Sequence, residues 1–197
     1  MFAKLIKQVA GRWGRDDDRI IATIPSLVAD GRVVKAERLL RDFLARKPMD
    51  ANALNYLGLI CHQRGEHAEA VRLMSLAVEA IPGTGFFHAN LGEALRANGQ
   101  LEQAEYHARE AAKLVPGQAE FAYNLGNILF QRGAYAEALE WARQALLGRP
   151  DWVEALKLAG KLDFELGHFA EALSCYGHGL TLRPDDPEMV VAMARTR

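Results

Sequence analysis

The sequence predicts an all-α solenoid of five helix–turn–helix units followed by a C-terminal capping helix, and three registers of residues carry that prediction. Pro48, Pro82, Pro116, Pro150 and Pro184 follow one another at intervals of 34 residues. Gly31, Gly65, Gly99, Gly133 and Gly167 keep the same step, and so do Ala36, Ala70, Ala104, Ala138 and Ala172. Chance does not align three residue types across five units, and a fixed period of this length marks a stacked-repeat architecture.

With each proline at position 32, the units span 17–50, 51–84, 85–118, 119–152 and 153–186, leaving 1–16 in front and 187–197 behind. Each unit reads as two helices. The first covers about positions 2–14 and stops at the position-15 glycine, because glycine enters the left-handed C-cap conformation at little cost. The second covers about positions 18–30 and stops before the proline, which disfavours helical geometry in the residue preceding it. Small residues let the paired helices approach: Gly58, Gly92, Gly126 and Gly160 at position 8, the alanine register at position 20, and Ala77, Ala111, Ala145 and Gly179 at position 27. Larger residues such as Leu54, Leu57, Phe169 and Tyr176 fill the gaps.

The first unit departs from this pattern. Ile24 stands where the others carry glycine, and Pro25 falls inside the first helix. A bent or late-starting helix is expected there, with Thr23 as N-cap and Pro25 in the first turn, where a missing N–H costs nothing. After Pro184, Asp186 as N-cap and Pro187 at the first helical position open one more helix. It is expected to be a cap, or the start of a sixth unit whose positions 4, 7 and 8 hold Val190, Met193 and Ala194. Residues 1–16 predict an amphipathic helix, with Phe2, Leu5, Ile6, Val9 and Trp13 on one stripe and Lys4, Lys7, Arg12 and Arg15 between them. Such a helix packs its stripe on the protein body or lies on a membrane surface or partner.

A 34-residue helix–turn–helix unit with small residues at positions 8 and 20 and proline at 32 resembles the tetratricopeptide repeat (TPR) family. The Tyr123–Asn127 run YNLGN is similar to the family consensus. The resemblance implies a right-handed superhelix whose first helices line a concave groove, with positions 2, 5, 9, 12 and 13 pointing into it. In the second unit these are Asn52, Asn55, Leu59, His62 and Gln63; in the third, Phe86, Ala89, Glu93, Arg96 and Ala97. The fourth gives Glu120, Tyr123, Asn127, Phe130 and Gln131, and the fifth Glu154, Lys157, Lys161, Phe164 and Glu165. Amides there can bond the backbone of an extended peptide without reading its sequence. Aromatics add contact area at low entropic cost. Asn90 and Asn124, at position 6, resemble the start of the asparagine ladder in the TPR arms of O-linked GlcNAc transferases, although Tyr56 and Leu158 interrupt it. The lysine and asparagine set by which some TPR domains hold a C-terminal carboxylate is absent: Asn127 at position 9 has Tyr123, not lysine, at position 5.

Chemistry is otherwise sparse. No GxSxG, P-loop, HExxH or EF-hand pattern occurs, so no catalytic, cofactor or metal residues are expected. Cys61 and Cys175 form no CxxC pair and read as reduced packing residues of a cytoplasmic protein. His62 and His67 are five apart, whereas ligands sharing one helix face need three or four. With 24 basic and 25 acidic residues, the chain has no basic excess for nucleic acid. No stretch of 18 apolar residues offers a membrane span. The expected function is a non-enzymatic scaffold binding a protein or peptide partner. A first alternative is the substrate-recruiting arm of a bacterial glycosyltransferase related to O-linked GlcNAc transferase, to whose arms Leu57–Gly65 and Phe87–Arg96 are similar. A second is self-assembly into a homo-oligomer, with Trp152 exposed in a connector beside Trp141, and with Phe86 and Phe87.

Overall fold

The computed structural model describes residues 17–196, and the predicted helix at 1–16 lies outside them. The described residues form eleven helices: α1 Asp17–Ala29, α2 Val33–Arg46, α3 Ala51–Gln63, α4 His67–Ala80, α5 Gly85–Ala97, α6 Leu101–Leu114, α7 Ala119–Gln131, α8 Tyr135–Gly148, α9 Val153–Glu165, α10 Phe169–Leu182 and α11 Pro187–Thr196. They fall into two compact units, one ending at Asn98 and one starting at Gly99. In the first, successive helices from α1 to α5 pack pairwise, and α3 also touches α1 and α5. In the second, successive helices from α6 to α11 do the same, and α9 also touches α7 and α11.

The registers act as expected. The alanines at position 20 are fully buried in all five repeats. Each first helix ends within a residue of its predicted limit. At Gly65 the chain turns with φ +82°, the Gly65 N–H donates to the His62 carbonyl at 3.0 Å, and the Glu66 N–H donates to the Cys61 carbonyl at 2.9 Å. This pair of bonds satisfies helix-end carbonyls that would otherwise be orphaned. The same two bonds recur around Gly31, Gly133 and Gly167.

The first repeat corrects one expectation. α1 is helical from Asp17 through Pro25 to Ala29 and does not start late. Thr23 is not its N-cap; it sits mid-helix, its hydroxyl donating to the Ile20 carbonyl at 2.7 Å. An interior proline costs about 3 kcal/mol. Ile21, Ile24 and Leu27 are all buried on one stripe, and each such burial stabilises by about 1.5–3 kcal/mol. Packing therefore outweighs the proline. Phe43, the large exception at position 27, is 2% exposed, so the first repeat accommodates a ring where the others hold alanine or glycine.

α11 begins as predicted. The Asp186 Oδ1 accepts from the backbone N–H of Glu188 and of Met189, both at 3.1 Å. Met189 is fully buried and packs with Val153 and Tyr176. Val190 and Ala194 remain exposed, since no second helix of a sixth unit packs on them among the described residues. The backbone bond from Met189, then Lys157, holds the Asp186 carboxyl below its usual range. A depressed carboxylate stabilises above its unfolded pKa, and that contribution is lost as pH falls through the folded value. On acidification α11 should therefore lose amide-exchange protection before α9. Simultaneous loss would show that the cap does not hold α11.

Glycines inside α10 separate into two kinds. A Cβ on Gly177 would meet no atom within 4 Å, whereas one on Gly179 would lie 2.4 Å from the Met189 sulfur. Gly177→Ala should stabilise by about 0.5–1 kcal/mol, the helix-interior cost of glycine. The check is slower amide exchange along α10; faster exchange would show a hidden contact.

Candidate functional site

The second unit brings several predicted groove residues together. α7 supplies Phe130, α9 supplies Lys161 and Phe164, and α11 adds Val191 and Arg195, positions 5 and 9 of a would-be sixth unit. With Glu165, Tyr176 and Glu188 they line an open cavity of about 610 Å³. Aromatic rings and charged side chains share its lining. The cations are partly committed: Lys157 lies 3.3 Å from Asp186 and also pairs with Glu188, which in turn pairs with Lys161. Burial pulls the Lys157 ammonium down, but Glu188 and Asp186 outweigh it and hold it above its ordinary value.

Nearer the start of this unit, the Tyr123 ring lies 4.5 Å from the Trp152 ring. Asn127 donates from Nδ2 to the Tyr123 carbonyl at 3.1 Å. Asn124 is half-buried and Gln131 exposed. Trp152 is not exposed, contrary to expectation: it is 4% accessible. The connector folds the ring back onto Ala119, Ala122, Ala145 and Ala155. The Arg149 guanidinium covers it at 4.4 Å. It offers no surface to a second copy.

The first unit places its predicted residues differently. Asn52 and Asn55 are buried, at 4% and 6% exposure. Asn90 donates from Nδ2 to the Asn55 Oδ1 at 2.9 Å, so one of its amide N–H groups is used inside the unit. Phe86 is half-buried. Glu93 accepts from the Arg96 Nε at 2.9 Å. Burial pushes the half-buried His62 imidazole below its usual pKa, against an opposing pull from Glu93.

One pattern was missed in the sequence although its signal was there. Rings at positions 12 and 17 meet across the turn in three repeats: His62 with His67 at 5.2 Å, Phe130 with Tyr135 at 5.6 Å, and Phe164 with Phe169 at 5.7 Å. The spacing of five, too long for one helix face, is bridged because the turn reverses the chain between the two residues.

Neither thiol is poised as a nucleophile. Burial first, then Glu66, pushes Cys61 up to about 11; burial first, then Asp163, pushes Cys175 up to about 11. A thiol so shifted is almost wholly protonated at neutral pH. Among the described residues no three His, Cys, Asp or Glu side chains gather as a metal site, and no helix is long and apolar enough to cross a membrane.

Helix pairs of fixed period, stacked one on the next, define a repeat scaffold fold. The tetratricopeptide repeat profile matches residues 21–83 and 89–154, well over half of the chain, and the chain belongs to that family. Among solved structures it is similar to TTC0263, a thermophilic TPR protein in Thermus thermophilus, at 25% identity over 91% of this chain and 98% of that one, with a TM-score of 0.70. It is also similar to YrrB, a TPR protein with an unusual peptide-binding site (20% identity, 97% and 96% covered, TM-score 0.73), and to MamA (19% identity, 86% and 95% covered, TM-score 0.72). No curated protein sequence matches the chain.

Proposed function

We propose that the protein is a non-enzymatic scaffold that holds a segment of a protein partner on the first-helix face of its second unit. The observation that carries this reading is the cavity of about 610 Å³, lined by Phe130, Lys161 and Phe164 among others. An apolar side chain of the partner enters between Phe130 and Phe164. Asn127 and Gln131 on α7 offer amides to its backbone, and Arg195 offers a guanidinium at the rim. Membership of a family whose proteins bind protein partners supports the reading, and so does the peptide-binding site of the similarly folded YrrB.

The test pans a displayed library of random peptides on the full chain and measures an enriched peptide by calorimetry. Asn127, Phe130 and Phe164 are replaced together by alanine; Tyr123 is kept because it also covers Trp152. Binding should fall at least tenfold, about 1.4 kcal/mol, with helicity retained. Unchanged affinity would move the site off this face.

A further inference from the structure

Tyr176 is out of pattern in the cavity of the second unit. The other lining residues stand on the first helices α7 and α9 or on α11, whereas Tyr176 comes from α10. It occupies position 24, where the other repeats carry Leu40, Met74, Ala108 and Ala142, so the fifth repeat alone brings a hydroxyl to this register. Gly160 makes room for it. A Cβ on Gly160 would lie 2.6 Å from the Tyr176 Cε1 and 2.9 Å from Cδ1 and Cζ, so the ring passes α9 at a residue with no side chain.

The packing of the ring does not use its hydroxyl. Tyr176 is 2% exposed and packs with Val153 and Met189. Among the described residues the Tyr176 Oη has no hydrogen-bond partner, yet it is not enclosed: the buried side-chain atoms left without a partner there are His62 Nδ1, His67 Nδ1 and Trp152 Nε1. The small part of Tyr176 that stays open therefore includes the hydroxyl, and the space this residue lines is the cavity. Burial first, then Cys175, pushes the phenol up to about 12, and Glu188, Asp163 and Glu165 push in the same direction. At neutral pH the hydroxyl keeps its proton, and the carboxylates around it disfavour a second anion there.

A lone hydroxyl beside two phenylalanine rings limits what can fill the space. A leucine or phenylalanine side chain would expel water and leave the hydroxyl unpaired, at the full cost of its desolvation. A carboxylate would meet the field of three acids. A phenol avoids both: its ring packs against aromatic neighbours, and its hydroxyl, donor and acceptor at once, pairs with the Tyr176 Oη in either sense.

We infer that the cavity is a seat for a tyrosine side chain of the partner, and that Tyr176 is the residue that selects tyrosine over phenylalanine. The inference rests on the reading of this cavity as the partner's site and adds the side chain it takes. A site built to bond a hydroxyl rejects the analogue lacking it more strongly than an apolar pocket discriminates by size.

Two small probes test the seat on the full chain. p-Cresol is the tyrosine side chain without its backbone, and toluene is that of phenylalanine. Each is titrated into isotope-labelled protein and followed by the amide shifts of α9, α10 and α11. p-Cresol should bind tighter by roughly fivefold or more, the scale of one net hydrogen bond, although toluene is the more hydrophobic. Tyr176→Phe keeps the ring that passes Gly160 and should reverse that order with helicity unchanged. In a peptide enriched on the unaltered chain, replacing the anchoring tyrosine by phenylalanine should weaken binding, and should no longer do so on Tyr176→Phe. Equal or tighter binding of toluene by the unaltered chain overturns the inference. So does a preference for p-cresol that survives Tyr176→Phe, or an absence of shifts in α9, α10 and α11 with both probes. Should Tyr176→Phe lose helicity, the order of the two probes on the unaltered chain decides alone. The two readings fail separately: peptides that bind this face through leucine or phenylalanine remove the tyrosine seat and leave the scaffold reading standing, whereas peptides indifferent to the triple alanine variant remove the scaffold reading itself.

Discussion

Trp152→Ala should destabilise the second unit by about 3–5 kcal/mol, the usual cost of deleting a buried large aromatic side chain. The ring is 4% exposed, lies tilted against Tyr123 with centroids 4.5 Å apart, and is covered at 4.4 Å by Arg149. It is packed on four buried alanines, which cannot collapse into the space it would leave. Trp152→Phe should cost less, because a smaller ring still fills part of the site. The measurement is the denaturant midpoint followed by helicity. A change within about 0.5 kcal/mol, the ordinary range for surface substitutions, would mean that the ring is exposed after all.

Gly160→Ala should destabilise as well, by a different route. A Cβ there would lie 2.6 Å from one Tyr176 ring carbon and 2.9 Å from two others. The ring is 2% exposed and has nowhere to swing. Overpacking costs about 1–3 kcal/mol, which outweighs the roughly 0.5–1 kcal/mol that alanine gains over glycine in a helix. Tyr176→Leu should recover part of the loss in the double variant. Unchanged stability for Gly160→Ala alone would show that the two helices can separate freely. The same change at Gly177, in the same repeat, has the opposite predicted sign, so propensity alone cannot rank these glycines.

The period made most of the fold legible. Proline and glycine act through backbone geometry that is local and independent of neighbours, and the small residues at positions 8, 20 and 27 mark where helices touch. What was hidden depends on packing between distant residues. Pro25 argues against a helix locally, but the buried stripe of Ile21, Ile24 and Leu27 overrides it. Trp152 has a connector's position in sequence and a core residue's surroundings, because the turn at Pro150 brings it onto alanines from α7, α8 and α9. Repeat position alone assigns Asn52 and Asn55 to a helix face without telling how deeply that face is buried. Phe130 and Phe164 were legible as neighbours because both stand at position 12 of successive first helices, and Lys161 stands one turn before Phe164 at position 9. The contribution of Val191 and Arg195 was not read from the sequence, because groove positions were assigned only in the second to fifth repeats.

One ion pair, between positions 14 and 21 of neighbouring repeats, recurs at every second junction, whereas Arg149–Glu120 and Arg183–Glu154 repeat at the 34-residue step. Arg64 at position 14 pairs with Glu37 at position 21 of the preceding repeat, and Arg132 pairs with Glu105 in the same way. The corresponding residues at the intervening junctions are Val71 and Asn98, then Leu139 and Leu166. At these two positions, therefore, charge alternates from one junction to the next. Excising repeats two and three together would set Glu37 against Arg132 and keep a cross-repeat cation. Excising repeat two alone would set it against Asn98. For this pair of positions, lengthening or shortening the chain by two repeats at a time keeps cation and carboxylate matched, whereas a single-repeat step does not.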